Sequence, residues 1–497
     1  MDPGTSKYLG AIANESGPGM RDLRRPGLRV IAVAIVALAV CLNAGPAEVS
    51  GDANQRTTAE PPPFFPNVRI TDGTAPFPHQ VEPYIIVDAR GRLVVGWKEA
   101  PTADGPGRRV GVARSLDGGP TWSPNVLMAL ANPGRNQSDP WLTTDPQNRT
   151  YFARLEYLEN ESTVVVSRSD DGGLTWGPMS AADDRPGFAD KESMVVDGTG
   201  TLYVAYDDVV GNTTDIRLTR SSDAGMTWSP TVAVADRVGD VLAPVIAARP
   251  DGAVSVAWWN ISDGNIMADA SQDRGATWGT DVRVNSFPGS ARWSNGTPNQ
   301  ISLPSVVSDS RGGLFIAWPD RGGGDLDILA ARSGDGGVTW STPVRVNDDS
   351  SRRDQWMVSL AVDRSDVLHA AWMDNRTGNW NVFYATSTDG GRTWTANLRV
   401  STEETPSRYT RPGDYLGLAV DKSGVVYVAW TDGRGSDLDI YFARFPGSTG
   451  ATTAAGVDPV VIALVGVAVV VPVLAYTVVR RRKKRGPPEP EERIGPR

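Results

Sequence analysis

Short apolar runs alternate with polar turns along most of this chain, and the alternation itself repeats. In the clearest copy, Ser305 to Asp309 leads into Leu314-Phe315-Ile316-Ala317-Trp318, followed by a polar loop from Pro319 to Asp325 and a third apolar run from Ile328 to Arg332. Runs of this length, rich in β-branched and aromatic residues and bounded by Gly, Pro and Asp, predict strands. The same frame fits Tyr84 to Trp122, Trp141 to Trp176, Ser193 to Trp228, Pro244 to Trp278 and Met357 to Trp394.

Each of these six copies ends in one phrase, Ser115 to Trp122 (SLDGGPTW) being the first. It returns at Ser169 to Trp176, Ser222 to Trp228, Ser271 to Trp278, Ser333 to Trp340 and Ser387 to Trp394. Asp and Ser side chains cap a tight turn, Gly supplies positive φ, and Thr-Trp restarts a strand, so the phrase reads as a hairpin staple. A period of roughly fifty to sixty residues is that of a radial β-propeller with one small sheet per repeat. Asp117, Asp171, Asp223, Asp273, Asp335 and Asp389 recur around the ring and are therefore assigned to its structure rather than to chemistry.

A seventh copy begins at Tyr415, with strands over Leu416 to Asp421, Val425 to Trp430 and Ile440 to Arg444, but it lacks a staple and a fourth strand. The segment Phe65 to Ile70 resembles the fourth strands Thr342 to Val346 and Ala396 to Val400 and can supply the missing one. The expectation is an all-β propeller, residues 65–446, of seven four-stranded blades closed by the N-terminal strand. Counting staples alone gives six.

The flanks carry signals of another kind. An apolar run from Leu28 to Leu42 follows Arg21, Arg24 and Arg25 and precedes small residues, which reads as a signal peptide over residues 1–47, with Met20 an alternative start. Cys41, the single cysteine, lies within that run; a lipoprotein signal or a retained anchor are the alternatives. Residues 48–64 read as a linker and 447–457, rich in Gly, Ser, Thr and Ala, as a stalk. Residues 458–479 are uncharged but for Asp458 and mostly apolar, and a basic run from Arg480 to Arg485 follows at once. That pattern predicts a transmembrane helix with residues 480–497 cytoplasmic and the propeller extracellular, a single-pass cell-membrane protein.

The net charge of −9 argues against a nucleic-acid partner, and two histidines are too few for a His-built zinc site. No nucleotide-binding glycine loop occurs, so no cofactor is expected; calcium at Asp325, Asp327, Asp437 or Asp439 is the only metal the spacing suggests. Nothing in the pattern calls for an oligomer, and a monomer is expected.

The six staples and the blade frame resemble the Asp-box (BNR) repeat family of sialidase-like propellers, over Phe65 to Phe445. The phrase specifies the fold more than the chemistry, because such propellers include both glycosidases and proteins without activity. Sites in this fold belong to the face opposite the staples. There the irregular loops carry Glu82, Arg292, Arg353, Trp356, Tyr409 and Arg411, charged and aromatic groups suited to gripping a sugar. Asp320-Arg321, Asp374 with Arg376 and Asp432 with Arg434 recur in successive blades and read as structural ion pairs.

Sialidases of the resembling family use an arginine triad, a tyrosine nucleophile with a glutamate partner, and an aspartate acid. The resemblance implies Tyr415 as nucleophile, Glu192 or Glu82 as its partner, and Asp139 or Asp190 as the acid. One departure stands out: where the family carries its first arginine, this chain reads Gln80-Val81-Glu82-Pro83. The expectation is a surface protein that engages glycans or glycoproteins, either as an exo-sialidase-type glycosidase or as a non-catalytic binding module; neutral-glycan hydrolysis by paired carboxylates is a third reading.

Overall fold

The computed structural model describes residues 64–103, 105–185, 187–291, 303–409 and 413–446. Within them the chain forms seven antiparallel four-stranded sheets and no helix. Six sheets take their strands in chain order: blade 1 runs from His79 to Leu127, blade 2 from Asn136 to Ala181 and blade 3 from Phe188 to Ala233. Blade 4 follows from Val241 to Arg283, blade 5 from Ser305 to Arg345 and blade 6 from Gln355 to Arg399. Blade 7 has three strands of its own between Gly417 and Phe445, and β1 (Val68–Arg69) is its fourth, pairing Val68 with Phe442 and Arg69 with Tyr441. The seven-bladed, N-terminally closed expectation holds.

Packing explains the aromatic that recurs in the second strand of every blade but blade 2, where Arg154 takes its place. Trp97, Trp258, Trp318, Trp372 and Trp430 are buried between neighbouring sheets, where large flat side chains fill the wedge left by twisted blades. Several indole N–H groups also find a carboxylate two residues on: Trp97 donates to Glu99, Trp318 to Asp320, Trp372 to Asp374 and Trp430 to Asp432.

The staples are turn locks. In each, the Asp accepts from the Thr hydroxyl and from the Thr N–H, while Ser Oγ accepts from the Gly N–H four residues on; in blade 5 the Thr339 hydroxyl reaches Asp335 Oδ2 at 2.5 Å and Gly337 N–H reaches Ser333 Oγ at 2.8 Å. These bonds, from the Thr hydroxyl first, hold Asp223 and Asp335 down to about 2. A second ring of carboxylates closes the turn between first and second strands: Asp88, Asp145, Asp309, Asp363 and Asp421 each accept N–H groups two and four residues on. The two turn sets share one face, because Arg92 beside the Asp88 turn donates to the Asp171 carbonyl in the staple of the next blade.

Candidate functional site

The face opposite the staples begins the innermost strand of every blade, and there the ladders are irregular. Register slips between Val81 and Tyr84, Ser138 and Trp141, Asp190 and Ser193, Leu242 and Val245, and Trp356 and Ser359. At each slip one non-glycine residue takes positive φ: Glu82 (58°), Asp139 (49°), Lys191 (47°), Ala243 (58°) and Met357 (56°). Such bulges bend the strand and re-aim a side chain, and they are strained for anything but glycine. Pro83, Pro140 and Pro244 follow three of these residues, where a missing N–H costs no ladder bond.

The pairing defines a ring of equivalent positions. Tyr84, Trp141, Ser193, Val245, Ser305, Ser359 and Gly417 all face the small residue before the second-strand aromatic, a place that buried Arg154 takes in blade 2. Two residues earlier stand Glu82, Asp139, Lys191, Ala243, Leu303, Met357 and Tyr415. Blades 7, 1, 2 and 3 thus place polar groups at the ring, and blades 4, 5 and 6 apolar ones. All but Glu82 line a central channel of about 460 Å³, together with Glu192, Asp414, Tyr84 and Trp141.

A second ring, just after the aromatics, contributes Lys98, Asp207 and Thr431. Two of these catch bulge N–H groups of the next blade: Thr431 Oγ1 accepts from Glu82 at 3.2 Å, and Asp207 accepts from Ala243 at 3.1 Å. The third is an ion-pair partner, with Lys98 Nζ 2.6 Å from Glu82 Oε1.

Lys191 organises the electrostatics. Its ammonium lies 3.0 Å from Asp139 Oδ1 in blade 2 and 2.7 Å from Asp414 Oδ2 at the start of blade 7, and all three side chains are at least nine-tenths buried. Burial opposes the lysine charge, but Asp139 and Asp414 more than offset it, so Lys191 stays protonated far into alkali. Its neighbour behaves oppositely. Burial, reinforced by the Asp139 charge, pushes the Glu192 carboxyl well above its ordinary value, and neither Glu192 oxygen has a hydrogen-bond partner among the described residues. Burial also pushes up the Tyr415 hydroxyl, with Asp139, Glu82, Glu192 and Asp414 adding to it. Aromatic rings wall this side: Tyr84 and Trp141 lie 4.3 Å apart between centroids, and Trp141 and Tyr415 6.3 Å.

No family model matches the chain. A sialidase from Bacteroides fragilis is 22% identical over 305 residues, covering 58% of this chain and 47% of that protein. By fold the described chain is a seven-bladed β-propeller, and in sequence it is similar to that sialidase. A xyloglucanase from a Paenibacillus species is 27% identical over 312 residues, 55% of this chain and 26% of that protein. The propeller's chain thus spans about half the length of the first relative matched and about a quarter of the second. Among solved structures, the Hadza microbial sialidase Hz136 aligns at 17% identity with a TM-score of 0.45, covering 65% of this chain and 66% of that one.

Of the residues expected at the site, the propeller brings together Tyr415, Glu192, Asp139, Asp190 and Glu82. Asp190 is buried beneath the ring, accepting from the Lys191 N–H and adding to the pressure on Glu192. Three expectations require correction. Trp356 is fully buried between blades 6 and 7, its ring 5.8 Å from that of Trp380, because the bulge that follows turns it into the core. Tyr409 packs on Val81 and Leu438 and donates its hydroxyl to the Ser436 carbonyl at 2.8 Å, so it serves as a wedge under the loop. Arg353 is solvent-exposed and does not line the channel. Arg292 and Arg411 lie outside the described residues.

The recurring acid–arginine pairs are structural in two blades: Arg376 binds Asp374 at 2.8 Å and Arg434 binds Asp432 at 2.7 Å. In blade 5, Arg321 pairs instead with Asp354 at 3.4 Å. Of the calcium candidates, Asp327 is paired with Arg345 and Asp439 with Arg69, and the described residues contain no cluster of three metal-ligating side chains. Lys191, Asp414, Lys98 and the Tyr84–Trp141 wall were not singled out by the sequence. The available signal was register: aligning the blades on the second-strand aromatic, or on Arg154 in blade 2, puts Glu82, Asp139 and Lys191 where blades 4, 5 and 6 carry Ala243, Leu303 and Met357.

Proposed function

We propose that this propeller engages glycans at its channel mouth and cleaves a terminal glycosidic bond there, with Glu192 as the proton donor and Asp139 as its anionic counterpart. The observation that carries this reading is Glu192 itself: a buried carboxyl lining an open channel, with both oxygens unpartnered among the described residues, beside an ion-paired Asp139. A carboxyl that burial holds well above its ordinary value, beside a second carboxyl in an ion pair, is an arrangement suited to the acid–base work of glycoside cleavage. The Tyr84, Trp141 and Tyr415 rings suit the apolar face of a pyranose. The glycan-related names of the sialidase and xyloglucanase relatives support the same class.

The tyrosine-nucleophile route fits less well, since no arginine lines the channel among the described residues and burial, with neighbouring carboxyl groups adding to it, opposes ionisation of Tyr415. The reading also places the protein outside the cell, tethered by residues 458–479, with the mouth as its working face. A panel of aryl glycosides, sialosides included, tests it. The full chain should turn over at least one, and Glu192→Gln should lower kcat/KM by about 10²–10⁴, the contribution of a general acid. Binding without turnover in both proteins would favour a non-catalytic glycan-binding module.

A further inference from the structure

Several neighbouring blades are joined by a side-chain clip between their fourth strands, and one clip differs from the rest in its chemistry. Between blades 7 and 1, Asn125 Oδ1 accepts the Asp72 N–H at 2.8 Å while Asp72 Oδ2 accepts the Asn125 N–H at 3.0 Å. Between blades 5 and 6, Asn397 Oδ1 and Asp348 Oδ2 make the same exchange, both at 2.8 Å. Each amide has a second task. Its Nδ2 donates to the carbonyl two residues before the partner, Asn125 to Ile70 at 3.2 Å and Asn397 to Val346 at 3.1 Å. Asn67 does likewise between blades 6 and 7, accepting from the Thr402 N–H and donating to the Val400 carbonyl at 3.0 Å.

Between blades 3 and 4 the pair is Asp236 and Asp281. The exchange with the backbone is kept: Asp281 Oδ2 accepts the Asp236 N–H at 3.1 Å, and Asp236 Oδ2 accepts the Asp281 N–H at 2.9 Å. Val234 holds the place of Ile70, Val346 and Val400, and like them it bonds the third strand of its blade through its N–H. Since Oδ2 does the work of the amide oxygen, Oδ1 of Asp281 stands where the other three seams place a donor. That oxygen is buried and has no hydrogen-bond partner among the described residues. An ionised carboxylate there sets an acceptor against the Val234 carbonyl, whereas a neutral carboxyl supplies the missing donor.

The surrounding charges favour the neutral form. Asp236 lies across the seam, and Asp269, on the third strand of blade 4, is buried; the opposing cation, Arg237, is solvent-exposed. Burial, reinforced by Asp236 and Asp269, raises the Asp281 carboxyl to about 6 against the pull of the Asp236 N–H and of Arg237.

We infer that Asp281 is an acid-set latch between blades 3 and 4: its carboxyl proton bonds the Val234 carbonyl and closes the seam in mild acid, and release of that proton to water loosens the seam at neutral pH and above. The same seam carries the Asp207 bond to the Ala243 N–H at the mouth, so the latch braces the blade that presents Lys191 and Glu192, whatever the mouth binds. Because the folded value lies above the ordinary one of about 3.9, the latch is complete below about pH 4 and is lost as pH rises through about 6.

Hydrogen exchange of the full chain, wild type beside Asp281→Asn, tests it, since the variant gives this seam the amide that the others carry. Exchange at residues 232–236 and 280–284 should be faster in wild type than in the variant by a factor that grows about tenfold from pH 5 to pH 8. Residues 344–348 and 395–399, in the blade 5–blade 6 seam, should keep one ratio throughout. A ratio at the blade 3–blade 4 seam that is the same at both pH values overturns the inference. Should Asp281→Asn fail to fold, Asn125→Asp puts the acid into the blade 7–blade 1 seam and must speed exchange at residues 70–72 and 124–127 over wild type by a factor that grows with pH in the same way. A constant factor there overturns the inference equally.

Discussion

Lys191 and Glu192 are adjacent in the chain, lie in the same bulge, and respond to burial in opposite ways. Lys191 has two anions within hydrogen-bond reach and keeps its charge; Glu192 has none for its oxygens among the described residues and sits in the field of Asp139. The consequence for stability has a definite sign. Because the folded-state value of Glu192 is raised, the folded protein holds that proton more tightly than the unfolded chain, and stability falls as pH rises from about 4.3 through the folded value. Glu192→Gln removes this loss, so its melting temperature should gain on wild type between pH 5 and pH 8; a constant difference across that range would show that Glu192 ionises normally. Tyr415, Glu192 and Asp139 were legible through the resemblance to sialidase-like propellers together with their places in loops of the face opposite the staples. Trp356 was not: read as part of the loop entering blade 6, it lies one residue before a bulge that buries it.

At the scale of the element, the staple and the bulge do different work at opposite ends of a blade. The staple fixes the third-to-fourth strand turn with hydrogen bonds to one carboxylate, so Asp389→Ala, which removes the bonds from Thr393 and Ser387, should cost about 1–2 kcal/mol in urea unfolding, the loss expected for a capping side chain. A cost near zero would mean that the turn is held by its glycines alone. Acid should act on all six staples together: the low values of Asp223 and Asp335 mean that their stabilisation is complete above about pH 4 and is lost as pH falls toward about 2. The strand order, the turns and the staples were legible because each repeats with its own polar signature. The bulges were not, since their cause is a backbone conformation that Glu82, Asp139, Lys191, Ala243 and Met357 share without sharing chemistry.

At the scale of the molecule, ring closure depends on a few residues at the start of the propeller. Ile70 is 3% exposed in the core between blades 7 and 1, and Asn67 donates to the Val400 carbonyl and accepts from the Thr402 N–H, clipping blade 7 to blade 6. Asn125 and Asn397 make the same clip in blades 1 and 6. Ile70→Ala should cost about 2–5 kcal/mol, as for other buried large-to-small changes, and should raise proteolysis at the blade 7–blade 1 seam first; uniform loss across all blades would place closure elsewhere. Phe65 N–H bonds the Arg444 carbonyl at 3.0 Å, and Arg444 reaches the Gly118 carbonyl in the first staple, so the described chain enters and leaves on the staple face, away from the mouth.

The account turns on the mouth being where a glycan binds, and hydrogen exchange of the full chain with and without its best-binding glycan tests that directly. Slowed exchange should concentrate at residues 80–84, 138–142, 190–194 and 413–417, the segments that carry Glu82, Asp139, Lys191, Glu192 and Tyr415. Protection confined to the staple face, with these four segments unchanged by a glycan that demonstrably binds, would contradict it.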